Sequence, residues 1–278
     1  VWGGSGLLII WLSLHLQQRA SFVFGLLLQV VGGAAFLLGG PLLLGPLASE
    51  GLTPLAHAGF WTPLVLGLAA LVGAWRLHHV LRREIAGDLG RLSLQRLSQV
   101  LLVWGVGWWA LAWSSEVLRF APAELQTTLL LLTLAISAAL AGLCALRADW
   151  RALARVTSLL IPLAALLLAL AWRSDWHPAA NFAWLVWALL FAVHFGLLRK
   201  VAQLLPKRAV SATHVLGCWL LLGLLSLELR YLLAQMAGAG GLVALLLNVT
   251  DKTGQSLVIA GVGALMIVYV LVGGMKGT

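Results

Sequence analysis

The sequence predicts an all-α fold, a polytopic integral membrane bundle of about ten transmembrane helices. Three observations carry that expectation. The 278 residues are 62% hydrophobic and 10% charged, with a mean hydropathy of +1.00, more apolar surface than a soluble domain of this size can hide. The apolar residues come in runs close to the ~20 residues that a helix needs to cross the bilayer. Thirteen of the eighteen Lys and Arg lie in every second gap between those runs, the bias that keeps loops cytoplasmic.

The basic gaps hold Arg19; then Arg76, Arg82, Arg83, Arg91 and Arg96; then Arg147, Arg151 and Arg155; then Arg199, Lys200, Lys207 and Arg208. The gaps between them hold Glu50; then Glu116, Arg119 and Glu124; then Arg173 and Asp175, and sum to zero or below. Eight crossings satisfy this alternation. They leave Val1 and a turn near Glu228 and Arg230 on the outer side.

Taken in order, the first helix is expected over Val1 to Leu16. It opens inside an apolar run with no initiator Met and no charged leader, which reads as part of a longer chain. The second and third are expected over Phe22 to Leu44 and Gly59 to Leu77, flanked by Pro41, Pro46, Pro54 and Pro63, where helix breakers cost little. From Val80 to Gln99, leucines recur at three and four with arginines between them. That pattern suits a basic amphipathic helix at the cytoplasmic interface, covered by lipid or by a partner protein.

The fourth helix, Leu97 to Trp113, carries Trp104, Trp108 and Trp109 on one face, with Trp113 continuing it. Helix packing and a stacking site for a sugar or aromatic ligand are both compatible with that stripe. The fifth, Leu125 to Leu146, follows Pro122, and the sixth, Leu153 to Trp172, has Pro162 inside its run and is expected to kink there. The seventh, Phe182 to Leu198, follows Pro178, and the eighth, Ala212 to Leu229, follows Pro206. Tyr231 to Leu247 and Leu257 to Val272 complete the set. Trp2, Trp61, Trp75, Trp113, Trp150, Trp172 and Trp176 fall near helix ends, where an indole keeps its N–H close to water.

The net charge of +9 is parcelled between apolar runs rather than gathered on one face, and no nucleic-acid motif accompanies it. Cys144 and Cys218 each sit in an apolar run without a CxxC or His partner, and read as buried, reduced thiols. Ionisable groups at membrane depth are the default functional candidates. Here His194, His214, Glu228 and Arg230 lie near interfaces, where snorkelling or a local hydrogen bond accounts for them. Gln29 lies deeper and reads as an interhelical hydrogen-bonding residue.

No membrane run holds paired carboxylates, and no HExxH, GxSxG or phosphate-binding loop occurs. His78 and His79, with His57, His15 and His177, lack metal-ligand spacing. An enzyme acting on the outer side would have only Glu116, Glu124 and Asp175 as acids. The chain is therefore expected not to be an enzyme and to need no cofactor.

Particular stretches resemble known families. WGGSGLLIIWLSLHLQQRASFVFGLLLQVVGGAAFLL, DWRALARVTSLLIPLAALL and HPAANFAWLVWALLFAVHFGLLRK are similar to a bacterial family of polytopic inner-membrane proteins of unknown function, number twenty-three thirty-nine. The resemblance covers Val1 to Arg230. Ser5 stands where members of that family carry an acidic residue. The final stretch, Tyr231 to Thr278, with AQMAGAG and YVLVGGMKGT, resembles two consecutive helices of the sodium:solute symporter family, in its cation:acetate branch.

These resemblances divide the chain into an eight-helix domain, residues 1–230, and two symporter-like helices, residues 231–278. They imply a bacterial inner-membrane protein with a structural, accessory or transport-associated role, or alternatively a piece of, or a fusion to, a cation:monocarboxylate symporter. Under the second reading Gln235, Gly238, Gly240 and Asn248 are candidates to line an ion or substrate path, with Na+ as the coupling ion. The glycines equally permit close helix packing. Expected partners are the bilayer, with anionic lipid at the basic loops, and other membrane proteins; no nucleic acid is expected.

Overall fold

A computed structural model of the chain describes residues 19–39, 51–82, 91–171 and 177–273. The architecture is all-helical: 87% helix, with no strand among the described residues. The α-helices are α1 (Arg19–Gly39), α2 (Ala58–Arg82), α3 (Arg91–Phe120), α4 (Ala123–Ala148), α5 (Arg151–Thr157), α6 (Leu160–Leu170), α7 (Ala183–Val201), α8 (Lys207–Leu246) and α9 (Lys252–Gly273). Six segments among the described residues are long and apolar enough to cross a membrane, fewer than the ten or so expected. They come from α2, α3, α4, the α5–α6 pair, α7 with the short 3₁₀ turn after it, and α8. The expected first helix, Val1 to Leu16, lies outside the described residues.

The chain divides into two compact units: Val1–Ala171 with Asn181–Leu216, and Trp172–Ala180 with Gly217–Thr278. In the first unit, α2 and α3 pack against each other because small residues let their backbones meet. A Cβ on Gly67 would lie 2.9 Å from the Trp109 nitrogen and 3.1 Å from the Gly105 carbonyl oxygen. Alanines continue the seam: Ala70, Ala74, Ala145 and Ala154 are buried with Leu77, Leu94, Leu101, Leu102 and Trp150 in one core. Leucines on the opposite faces, such as Leu140, Leu166 and Leu170, are exposed. That arrangement suits helices whose outer solvent is lipid.

Several expected boundaries move, each for a physical reason. The break in the sixth expected helix falls at Ser158 and Leu159 rather than at Pro162. Proline has no N–H to offer the carbonyl four residues back, which here is that of Ser158, and its ring crowds that carbonyl. The chain answers with tighter bonds, Ser158 N to Arg155 O at 3.1 Å and Leu159 N to Val156 O at 3.1 Å, and restarts as α6. Pro63, expected to flank a helix, lies inside α2 near its start.

Val80 to Gln99 is not one interfacial helix. Its first residues end α2 and its last begin α3, with residues 83–90 outside the described set. Leu94 and Ser98 are buried there, and the Ser98 hydroxyl donates to the Ala74 carbonyl at 2.9 Å, so that face is core. The expected turn near Glu228 and Arg230 is absent, because α8 runs unbroken through it. Its sequence there, SLELRYLLAQ, contains neither Gly nor Pro, so nothing local stops the helix.

In the second unit α8 ends by a device that a single Asn makes possible. Asn248 adopts the left-handed region, φ 55°, Val249 N donates to Ala244 O at 2.9 Å and Asn248 N to Leu245 O at 3.1 Å. These are the two bonds of a Schellman cap. Asp251 then starts α9, its carboxylate accepting from Gly254 N at 2.6 Å.

Candidate functional site

The most strongly organised polar group in the first unit lies where α3 ends and α2 begins. Glu116 and Arg119 are one turn apart on α3, so they share a face. His57 immediately precedes α2 and accepts, through its carbonyl, the N–H of Phe60 at 3.1 Å. Glu116 Oε1 accepts from Leu55 N at 2.6 Å, and its Oε2 lies 2.9 Å from His57 Nε2. Arg119 Nη1 lies 3.3 Å from His57 Nδ1. The His57 and Glu116 side chains are only 6% and 8% exposed.

A guanidinium can only donate, so His57 Nδ1 is the acceptor and the ring proton sits on Nε2, aimed at Glu116. The trio is then a carboxylate, a neutral imidazole and a guanidinium, with no net charge. Burying a carboxylate is costly unless both oxygens find donors, and here both do. The loop is the beneficiary. Leu55 has φ 62°, a conformation uncommon for leucine, and the Glu116 carboxylate holds its N–H there.

The second unit repeats the construction with different residues. Glu228, on α8, accepts from Ala179 N at 2.8 Å with Oε1, and its Oε2 lies 2.8 Å from His177 Nδ1. The His177 ring stacks on Tyr231 at 4.2 Å between centroids, with the planes 7° apart. This pair is more open, with side chains 29% and 20% exposed. In both cases a helix carboxylate ties down a backbone N–H and a histidine two residues apart on the loop before a membrane helix. The sequence marks Glu116, Arg119 and Glu228 by their charge and His57 and His177 only as metal candidates, and it joins none of the five. The legible signal is a His in the gap before α2 and another in the gap before α7, with an acid on a neighbouring apolar run.

The residues proposed from the symporter resemblance are dispersed. Gln235 and Gly238 are exposed on α8, and nothing approaches within 4 Å of where a Gly238 Cβ would be. Gly240 is a contact point: a Cβ there would lie 2.6 Å from the Ile259 Cα of α9. Asn248 is the αL residue of the α8 cap. The four therefore do not converge on one lining among the described residues.

Other candidates also find places. Trp104 and Trp108 form an edge-to-face pair at 5.5 Å against which Gly33 packs, while Trp109 pairs with Trp113 at 6.0 Å, so the indoles form two groups rather than one face. Gln29 is 1% exposed, and its amide atoms have no hydrogen-bond partner among the described residues. His194 is buried on α7 with Phe195 at its edge, 4.9 Å away. Cys144 is exposed and Cys218 half-buried, so neither is the buried thiol expected. Among the described residues no three His, Cys, Asp or Glu side chains are grouped to hold a metal ion.

Comparison with known proteins adds one firm similarity. A 56-residue segment, 20% of this chain, is 55% identical to a protein described as a monocarboxylic acid transporter from Corynebacterium glutamicum. The chain spans about 10% of that transporter's length. No protein-family profile matches the chain, and no solved structure matches it. The membrane-spanning helices and this similarity together describe a multi-pass helical membrane protein that carries a transporter-like segment.

Proposed function

We propose that the chain is a bacterial inner-membrane protein with a transport-associated role, in which two symporter-type helices follow an eight-helix domain that supplies no catalytic centre. The 55% identity over 56 residues to a monocarboxylic acid transporter carries this reading, and we assign that match to the C-terminal stretch that includes residues 231–278. The six apolar segments then make nine crossings, about the ten expected, if the first apolar run, α1 and α9 also span. Residues 1–230 serve as a structural or accessory membrane domain. Anionic lipid at the basic loops and other membrane proteins are its partners, and it uses neither cofactor nor nucleic acid.

The alternative, that this chain is itself a cation:monocarboxylate symporter or a working piece of one, draws on the same similarity. Against it, carriers assembled from inverted repeats build their ion and substrate sites from broken helices in both halves, and two helices supply only part of such a site. Uptake of labelled acetate into proteoliposomes holding the purified chain, driven by an inward Na+ gradient, separates the two. The accessory reading expects uptake equal to empty vesicles. Na+-dependent uptake that falls on substitution of Gln235 or Asn248 overturns it in favour of the symporter.

A further inference from the structure

The first unit contains a cavity of about 650 Å³ between α2, α3, α4 and α5. Its walls include the indoles of Trp75, Trp109 and Trp150 and the aliphatic side chain of Leu140. At the end farther from the basic loop it is lined by Trp109 and Ser137, whose Nε1–H and hydroxyl satisfy each other at 2.9 Å, the indole donating. Its other end carries His79 and Arg147. His79 stacks on Trp75 at 5.9 Å with the rings 22° apart, and Arg147 is exposed in the last turn of α4.

The dimensions select an occupant. Ser137 and Arg147 are ten residues apart on one helix, about 15 Å at 1.5 Å per residue. That is half of the ~30 Å hydrocarbon thickness, the depth of one leaflet. A small carboxylate would leave most of that apolar wall empty, because well-matched ligands fill their pockets. The charges select the leaflet and the headgroup. Arg147, with the exposed Arg151 and Arg155 just beyond it, belongs to a basic cytoplasmic gap, and the cytoplasmic leaflet is the one rich in anionic lipid.

We propose that this cavity holds one acyl chain of an anionic phospholipid drawn from the cytoplasmic leaflet, with the headgroup phosphate against Arg147 and His79. The chain lies along α4 with its end near Ser137 and covers Cys144, which lines the cavity and is exposed.

Cys144 supplies the test. With Cys218→Ser in the full chain, Cys144 is the one remaining thiol, and its maleimide labelling rate in detergent reports occupancy. Phosphatidylglycerol added to the micelles is expected to slow labelling about fivefold more than phosphatidylcholine at equal mole fraction, the preference that ~1 kcal/mol per basic residue at the surface gives. Arg147→Gln with His79→Gln is expected to abolish the difference while circular dichroism retains the helical signal. Leu140→Trp, which fills the cavity, is expected to remove protection by both lipids. Equal protection by the two lipids, a preference that survives Arg147→Gln with His79→Gln, or stronger protection by oleate than by phosphatidylglycerol overturns the proposal.

Discussion

Glu116 on α3 reaches His57, 59 residues earlier in the chain, at 2.9 Å, and both side chains are more than nine-tenths buried. The contact closes the end of the α2–α3 pair where α2 begins and α3 ends, and leaves neither carboxylate oxygen without a donor. Glu116→Ala leaves the Leu55 N–H and the His57 Nε2–H without their acceptor, and orphaning a buried donor costs about 1–3 kcal/mol each. Thermal unfolding of the purified chain in detergent should show it as a large fall in midpoint. Glu116→Gln, which still accepts from Leu55 N, should lose less, and a midpoint unchanged by Glu116→Ala would deny the contact any structural weight.

Glu228 grips its loop from a wetter position, so its loss should be milder. Glu228→Ala is expected to cost about 1 kcal/mol, near the upper range for partly exposed ion pairs. The sharper readout is local. Hydrogen exchange at the Ala179 amide should quicken at least tenfold when its acceptor is gone, while amides in the middle of α7 keep their protection.

Helix packing in both units makes opposite predictions for glycines that look alike in sequence. Gly67→Val would force a side chain against the Trp109 and Gly105 backbones, which cannot swing aside as a side chain can. Overpacking of this kind costs about 1–3 kcal/mol or more. Gly107→Val, two residues from Gly105, meets nothing within 4 Å and should be neutral to stabilising. Gly240→Val, facing the Ile259 backbone, should behave like Gly67→Val, and Gly238→Val like Gly107→Val. Thermal midpoints of the four variants check all of this together.

Asn248 separates the two roles offered for it. If the residue matters as the αL cap of α8, Asn248→Gly keeps the conformation and is tolerated, whereas Asn248→Val costs about 1–2 kcal/mol for forcing a branched side chain left-handed. Asp251→Ala should cost about 1 kcal/mol through the lost cap on α9. An ion-lining Asn would instead lose function equally with Gly or Val, which the acetate uptake assay reads directly.

The spans were legible where charge and hydropathy agreed. The alternation of Arg76 to Arg96, Arg147 to Arg155 and Arg199 to Arg208 located α2, α3, α4 and α7 to within a few residues in their apolar portions. The helices run on beyond those portions, because a helix continues into the headgroup region until a cap or proline stops it, as α3 does to Phe120. Pro162 signals a disturbance that appears one turn earlier, since its effect falls on the carbonyl of Ser158. The Glu116–His57 and Glu228–His177 pairs were out of reach. Each joins residues 59 or 51 positions apart, and such pairing is set by how helices register, which no local pattern records.

An unbroken α8 has a consequence for how the chain is read by the membrane itself. Forty residues measure about 60 Å, twice the ~30 Å that hydrocarbon can cover. A single crossing centred on its middle would carry Glu228 and Arg230 into the bilayer core, at about 2.5–3.5 kcal/mol for Arg and similarly for an acid. Two registers avoid that: one places the Cys218 half within the lipid, the other the Met236 half. With only Asp251, Lys252 and Lys276 beyond Arg230, the sorting charges hardly distinguish them. Both registers leave the 247–252 turn on the same side, so α8 can slide between them without inverting α9, and a lysine placed at Gly223 or at Gly238 should exclude from the lipid the half that carries it.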